Sequence, residues 1–256
     1  MAEAVWLRRQ PVYVETVIRT DMERLWFCTL RPEQHEQWDL RFSSITYLPK
    51  EEDDPRQRFR YTTRIGFGLR ISGCGATKGG IAGRGGERKS VLEFWSDQPL
   101  SLIRRGSGYW KYTPVPGGIR FVTKYRYETR FGLAGKLFDK LVFRPLIGWA
   151  TAWSFDCLRI WLEYGIAPAV SVRNSLRFCV SVLSIGLFVG FQLGALLFKP
   201  ELLNGIVVPA ALNAALGGCF FAAWKSGRRR PRAANCLRSD SGAVTAARLR
   251  YEGGDR

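Results

Sequence analysis

Acid–base chemistry most often uses histidine, and this chain has little of it. The 256 residues contain one histidine, His35. Histidine suits proton transfer because its ordinary pKa lies near neutrality. Here it sits in the polar run Glu33-Gln34-His35-Glu36-Gln37, which reads as the solvated face of a short helix. Asp39 and Arg41 follow Trp38 and are spaced to pair with one another or to cap that helix. One histidine gives no basis for a Ser-His-Asp set. The cysteines (Cys28, Cys74, Cys157, Cys179, Cys219, Cys236) form no CxxC pair and no cluster with zinc spacing. They read as reduced, small hydrophobic side chains. No catalytic residue, metal or cofactor is expected.

The Gly-rich stretch 66–86 contains GCGATKGG, which lacks the GxxxxGK[ST] of a phosphate-binding loop. Gly66 and Gly68 read as a tight hairpin. KGGIAGRGGERK reads as a mobile basic loop, and Arg84, Arg88 and Lys89 on it are candidates for anionic lipid headgroups.

Alternation positions these residues. Val12, Val14, Thr16 and Ile18 interleave with Tyr13, Glu15, Val17 and Arg19, and residues 58–65 alternate likewise. The run Ile119, Phe121, Thr123, Tyr125, Tyr127, Thr129, Phe131 is longer. A period of two over such lengths predicts strands with one buried and one wet face. Further strands are expected over 45–48, 69–77, 90–96 and 102–112, with a hairpin turn at Pro116 to Gly118. Asp21 caps a predicted helix over 22–29, and Pro32 opens another over 33–38. A long helical stretch, 133–164, carries Leu137 and Leu141, then Trp149 and Trp153, at helical spacing. Pro145 should kink or break it.

The C-terminal third differs in character. Phe178 to Phe198 is 21 residues without a charge, thirteen of them Phe, Leu, Ile or Val. As a helix it covers roughly 30 Å, the thickness of a hydrocarbon core. Its apolar residues supply roughly −4 to −8 kcal/mol of insertion free energy. Leu202 to Trp224 is a second charge-free run, diluted by Asn204, Pro209 and Asn213. Gly186, Gly190 and Gly194 share one helix face and suit close packing, as a hairpin or a homodimer seam.

The formal charge of +17 calls for an anionic partner. It is spread along the chain, which suits a surface near anionic lipid and argues against a nucleic-acid groove. Arg173 and Arg177 precede the first apolar run, and Lys225, Arg228, Arg229, Arg230 and Arg232 follow the second. The positive-inside rule places both flanks in the cytoplasm and the turn at Glu201 outside. Met1 to Gln10 has no apolar core long enough for a signal peptide, so the first domain is expected to stay cytoplasmic. The expected organisation is a folded domain over 1–170, a two-helix transmembrane hairpin over 171–224, and a basic, disordered cytoplasmic tail over 225–256. Together these make an inner-membrane protein.

The order of strand, two short helices, about six antiparallel strands and one long helix resembles the helix-grip fold of the START-like superfamily (SRPBCC), which includes polyketide cyclases and lipid-transfer domains. The stretch RTDMERLWFCTLRPEQHEQWDLRFSSITYLP carries the resemblance, which covers roughly residues 10–165. It implies an α+β fold in which a curved antiparallel sheet wraps the long C-terminal helix, leaving a cavity for a lipid, sterol or polyketide-like ligand. Tyr61, Thr63, Tyr125 and Tyr127 would line that cavity from the sheet, and Trp149 and Trp153 from the helix. These residues serve equally to fill a solid core. The absence of an acid–base constellation favours a binding module over a cyclase or dehydratase. A membrane-anchored module that docks a protein partner is the third reading.

Overall fold

The computed structural model of the chain describes residues 10–50, 54–66, 68–198, 217–218, 221 and 230–239. The chain divides into two compact units, Met1–Glu163 with Arg232–Arg256, and Tyr164–Pro231.

In the first unit, β1 (Val12–Ile18) leads to α1 (Met22–Leu30) and α2 (Pro32–Trp38). The side chain of Asp21 accepts a hydrogen bond from the Arg24 amide at 2.8 Å, satisfying one orphan donor of the first turn. Pro32 opens α2, where a missing N–H costs nothing. There follow β2 (Ser44–Tyr47), β3 (Gln57–Gly66), β4 (Leu69–Ala82), β5 (Arg88–Trp95), β6 (Ile103–Val115) and β7 (Gly118–Thr129). All seven strands form one sheet, in the order β1-β7-β6-β5-β4-β3-β2. Every pairing is antiparallel.

The alternation in sequence becomes one apolar face. Val12 pairs with Tyr125, Val14 with Thr123, Thr16 with Phe121 and Ile18 with Ile119. Phe121 is fully buried, with its ring stacked on Phe155 at 4.4 Å and on Tyr112 at 5.0 Å. Phe155 belongs to α4 (Arg144–Tyr164), the long helix. Each such ring contributes about 1.5–3 kcal/mol by leaving water.

The strand expected over 69–77 runs on as β4 to Ala82, so residues 78–82 extend the strand where a loop was expected. Gly75 lies opposite Phe59 and Gly73 opposite Tyr61, and the two rings occupy the space that a Cβ would take. Glycine weakens a bare strand, but here it lets neighbouring aromatics lie down on the backbone. The expected hairpin at Gly66 and Gly68 is present between β3 and β4, and β4 runs on to Ala82 before a short turn, Arg84–Gly86.

Pro145 does not break the helix. The stretch runs as α3 (Gly132–Phe138), a π turn (Asp139–Phe143), then α4, with Pro145 in the first turn of α4. The wider π turn absorbs the missing N–H and the bulk of the ring without a break in the path.

Residues 230–239 also differ from the disordered tail suggested by composition. Leu237 exchanges two backbone hydrogen bonds with Glu15, both 2.9 Å, on the open edge of β1. Asp156 Oδ2 on α4 accepts from the Arg232 amide at 2.7 Å and from Asn235 Nδ2 at 2.9 Å. Cys236 is buried, its thiol 3.3 Å from the Ala152 carbonyl oxygen. The segment thus covers part of an edge that would otherwise present unpaired amides.

In the second unit, α5 (Pro168–Phe198) has 31 residues. Its window Pro168–Leu187 is long and apolar enough to cross a membrane, and is the one such helix among the described residues. The helix begins well before Phe178, so Arg173 and Arg177 lie within it. The second expected span, 202–224, lies outside the described residues apart from Gly217, Gly218 and Phe221. Among the described residues, nothing comes within 4 Å of a Cβ built at Gly186 or Gly190.

Candidate functional site

The helix pair between β1 and β2 carries a buried polar centre. Asp39 is 1% exposed. Arg41 grips it from both sides, Nε to Oδ1 at 2.8 Å and Nη2 to Oδ2 at 2.6 Å. His35 Nε2 lies 2.9 Å from Oδ2. The expected solvated His35 is instead part-buried, stacked on Trp38 at 4.9 Å with Phe42 and Trp110 edge-on. Three aromatic faces draw the imidazole in, and the polar neighbours in sequence give no hint of them. Burial alone would raise the carboxyl pKa of Asp39, but the charge and hydrogen bonds of Arg41, together with His35, hold it well below the usual range. A carboxylate held ionised in this way is a structural counter-ion, not an acid for catalysis near neutral pH.

Arg41 links this centre to the expected cavity. Its guanidinium lies over the rings of Phe42 at 5.5 Å and Tyr125 at 5.8 Å, and its carbonyl oxygen accepts from Thr63 Oγ1 at 2.6 Å. Tyr61, half-buried, meets Phe42 edge-on at 5.6 Å, and burial pushes its hydroxyl up to about 12. The Tyr125 hydroxyl lies 3.0 Å from Thr151 Oγ1 on α4. Tyr127 donates to Asp139 Oδ1 at 2.6 Å, with Arg144 over its ring at 5.2 Å. The strand register puts Tyr61, Thr63, Tyr125 and Tyr127 on one sheet face. The two inner tyrosines are buried with their hydroxyls bonded, which matches packed core. Trp153 is buried, whereas Trp149 is 42% exposed, its ring 6.5 Å from that of Trp153.

Open space lies beside α1. A groove of about 590 Å³ runs between α1 and the strands β2, β3 and β4. Trp26, Phe27, Leu30 and Tyr47 form its apolar lining, and Arg31 and Lys50 add positive charge. The Arg31 guanidinium lies 5.9 Å from the Phe27 ring centre, and the Tyr47 hydroxyl donates to the Leu30 carbonyl at 2.5 Å. The Glu23–Arg88 ion pair bounds the groove on the other side, with Arg88 over the Trp26 ring at 5.4 Å. Gly79 on β4 lets α1 sit close, since a Cβ there would meet Leu30 at 3.2 Å and Trp26 at 3.3 Å. The sequence did carry a trace of this groove. Leu25, Cys28 and Thr29 are the buried stripe of α1, and Trp26, Phe27 and Leu30 exceed what one stripe needs.

The strand order, the helix pair between β1 and β2, and the long helix after β7 define an α+β protein with the START-like, helix-grip fold. Over 200 residues the chain is 46% identical to the uncharacterized membrane protein YndG of Bacillus subtilis, covering 78% of this chain and 74% of the relative. It belongs to the YndG family. No protein-family profile matches it. Among solved structures, the Zhui aromatase/cyclase from Streptomyces sp. R1128 superposes with a TM-score of 0.44 at 11% identity, over 59% of this chain and 96% of that one. TTHA0849 from Thermus thermophilus gives 0.40 at 20% identity, over 53% and 86%. Human StAR-related lipid transfer protein 5 gives 0.39 at 15%, over 52% and 68%.

Proposed function

We propose that this protein is a membrane-tethered START-like module that holds an amphipathic ligand, an acyl or ring system bearing an anionic head group, in the groove beside α1. The observation that carries this reading is the pairing of an aromatic lining with the cations Arg31 and Lys50 around open space. Apolar walls supply affinity and a few charged groups set orientation. The inner set of Tyr61, Thr63, Tyr125, Tyr127 and Trp153 is then the packed support behind the groove, and binding rather than catalysis is the activity.

The tether is read as a two-helix hairpin. Residues 232–239 dock on the same unit as residues 10–163, which supports an even number of bilayer crossings between them. On this reading α5 makes one crossing and the charge-free run 202–224 makes the second, before Arg232. The basic flanks favour the cytoplasm for the domain and the docked tail. Cysteine placed at Glu201 in cells should react with an impermeant maleimide from outside, and cysteine at Ser239 should not. Outside labelling of Ser239 would overturn the hairpin orientation.

Ligand binding is tested on the full chain in vesicles with a photoactivatable diazirine fatty acid. Adducts are expected on peptides covering 26–31 and 47–57. Lys50→Glu should reduce them by up to roughly fivefold, the equivalent of about 1 kcal/mol for one exposed ion pair. Adducts on the 125–127 peptide instead would move the site to the inner tyrosines. No adduct anywhere in the first unit would sink ligand binding.

A further inference from the structure

The start of the long helical stretch exposes an unusual amount of apolar surface. Leu133 is 82% exposed and Leu141 64%, and Leu137, Phe138, Val142 and Leu146 are exposed as well. A soluble surface seldom gathers so many large apolar side chains in one short segment. They fall in rows four residues apart, 133-137-141 and 138-142-146, and a third row, 136-140-144, is Lys, Lys and Arg. In a plain α-helix such rows drift by about 40° per step. The π turn over 139–143 is wider than an α turn and takes out part of that drift, so the apolar and basic rows stay on separate sides. Lys136 and Lys140 are exposed along the border. At the head of the segment, Phe131 is itself exposed and held at φ 64°, a left-handed backbone that a bulky residue rarely adopts.

We infer that the segment Gly132 to Trp149 is an interfacial membrane-docking element, which lays its leucine and phenylalanine rows into the acyl boundary of an anionic leaflet while Lys136 and Lys140 meet the headgroups. Apolar residues on one side and lysines along the edge are the composition of helices that lie in a bilayer surface. Lysine attraction to acidic lipid supplies the charge complementarity, and the whole chain carries an excess of +17. A bilayer is within reach because the candidate span begins at Pro168, shortly after the segment along the same chain. The inference rests on the membrane-tethered reading. It adds a second, in-plane contact, which would hold the ligand domain against the surface from which it draws amphiphiles.

The test uses the full chain reconstituted in vesicles of phosphatidylcholine and phosphatidylglycerol. An environment-sensitive fluorescent amino acid is placed at Leu141, at Leu183 within α5, or at Thr46 on β2, and the lipids carry a spin-label quencher near the top of the acyl chain. Emission at Leu141 and Leu183 should shift to the blue and be quenched, and emission at Thr46 should stay unquenched. Replacing Lys136 and Lys140 together by Glu should lower the quenching at Leu141 and leave Leu183 unchanged. Quenching at Leu183 without quenching at Leu141 would overturn the docking element and leave the tether intact. In that case a blue-shifted Leu141 would mean the face is covered by protein, a second copy included. No quenching at Leu183 would count against the tether itself, and Leu141 would then decide the docking element on its own.

Discussion

Asp39→Ala should destabilise the first unit by about 3–5 kcal/mol, the usual cost of removing one partner from a buried ion pair. The carboxylate accepts three hydrogen bonds from Arg41, including its backbone amide at 3.1 Å, and also faces His35. Truncation leaves the guanidinium, whose side chain is only 13% exposed, between aromatic faces without its counter-ion. The measurement is denaturant unfolding of the detergent-solubilised full chain, followed by tryptophan fluorescence. Asp39→Leu combined with Arg41→Met should recover much of the loss, because an apolar pair removes the stranded charge. If the double variant is as unstable as Asp39→Ala, the effect is packing and not electrostatics.

The same pair fixes an acid sensitivity. The folded-state pKa of Asp39 is depressed, with the influence of Arg41 and His35 exceeding the opposing effect of burial. Between the folded value and the ordinary value of about 3.9, the unfolded chain binds more protons than the folded one. Stability therefore rises with pH across that interval. The contribution is complete above the ordinary carboxylate range and is lost as pH falls through the folded value. Asp39→Ala should flatten the stability profile below about pH 4.

Tyr127→Ala should also cost about 3–5 kcal/mol, as for other aromatic truncations in packed cores. Its side chain is 2% exposed and packs with Tyr125, Phe143 and the aliphatic and charged parts of Arg144. Burial first, and the Asp139 hydrogen bond second, push its hydroxyl far above the ordinary tyrosine value, so it acts as a neutral donor at any physiological pH. Truncation loses the ring and takes a donor from a carboxylate that is itself 1% exposed. A cost nearer 1 kcal/mol, about the middle of ordinary substitutions, would mean that the ring lines open space, and would return the ligand to the sheet–helix interior. The groove reading predicts the larger loss together with unchanged fatty-acid adducts at 26–31 in whatever fraction remains folded.

Periodicity and caps wrote most of the first unit into the sequence. The alternation from Ile119 to Thr129 specified β7 and the face it buries, because successive side chains of a strand point to opposite sides, whereas Phe131, the last residue of the expected run, lies beyond the strand and is exposed. Asp21 and Pro32 marked the two helix starts, because the first turn of a helix needs a side-chain acceptor or tolerates a missing N–H. The charge-free run after Arg177 was equally legible, since length and apolar content alone qualify a helix to span. Other features depended on which elements the topology brings together. The strand over 69–77 was legible, but not that Phe59 and Tyr61 would lie over Gly73 and Gly75 from the neighbouring strand. His35 read as solvated until Trp110, far along the chain, closed over it. The contact between Asn235 and Asp156 joins residues 79 apart in sequence, and no local pattern encodes such a meeting. Local propensity acts through neighbours within a turn or a strand. The burial of a polar group, the location of open space, and the return of a chain end to a sheet edge depend on long-range pairing, and only the tertiary fold decided those.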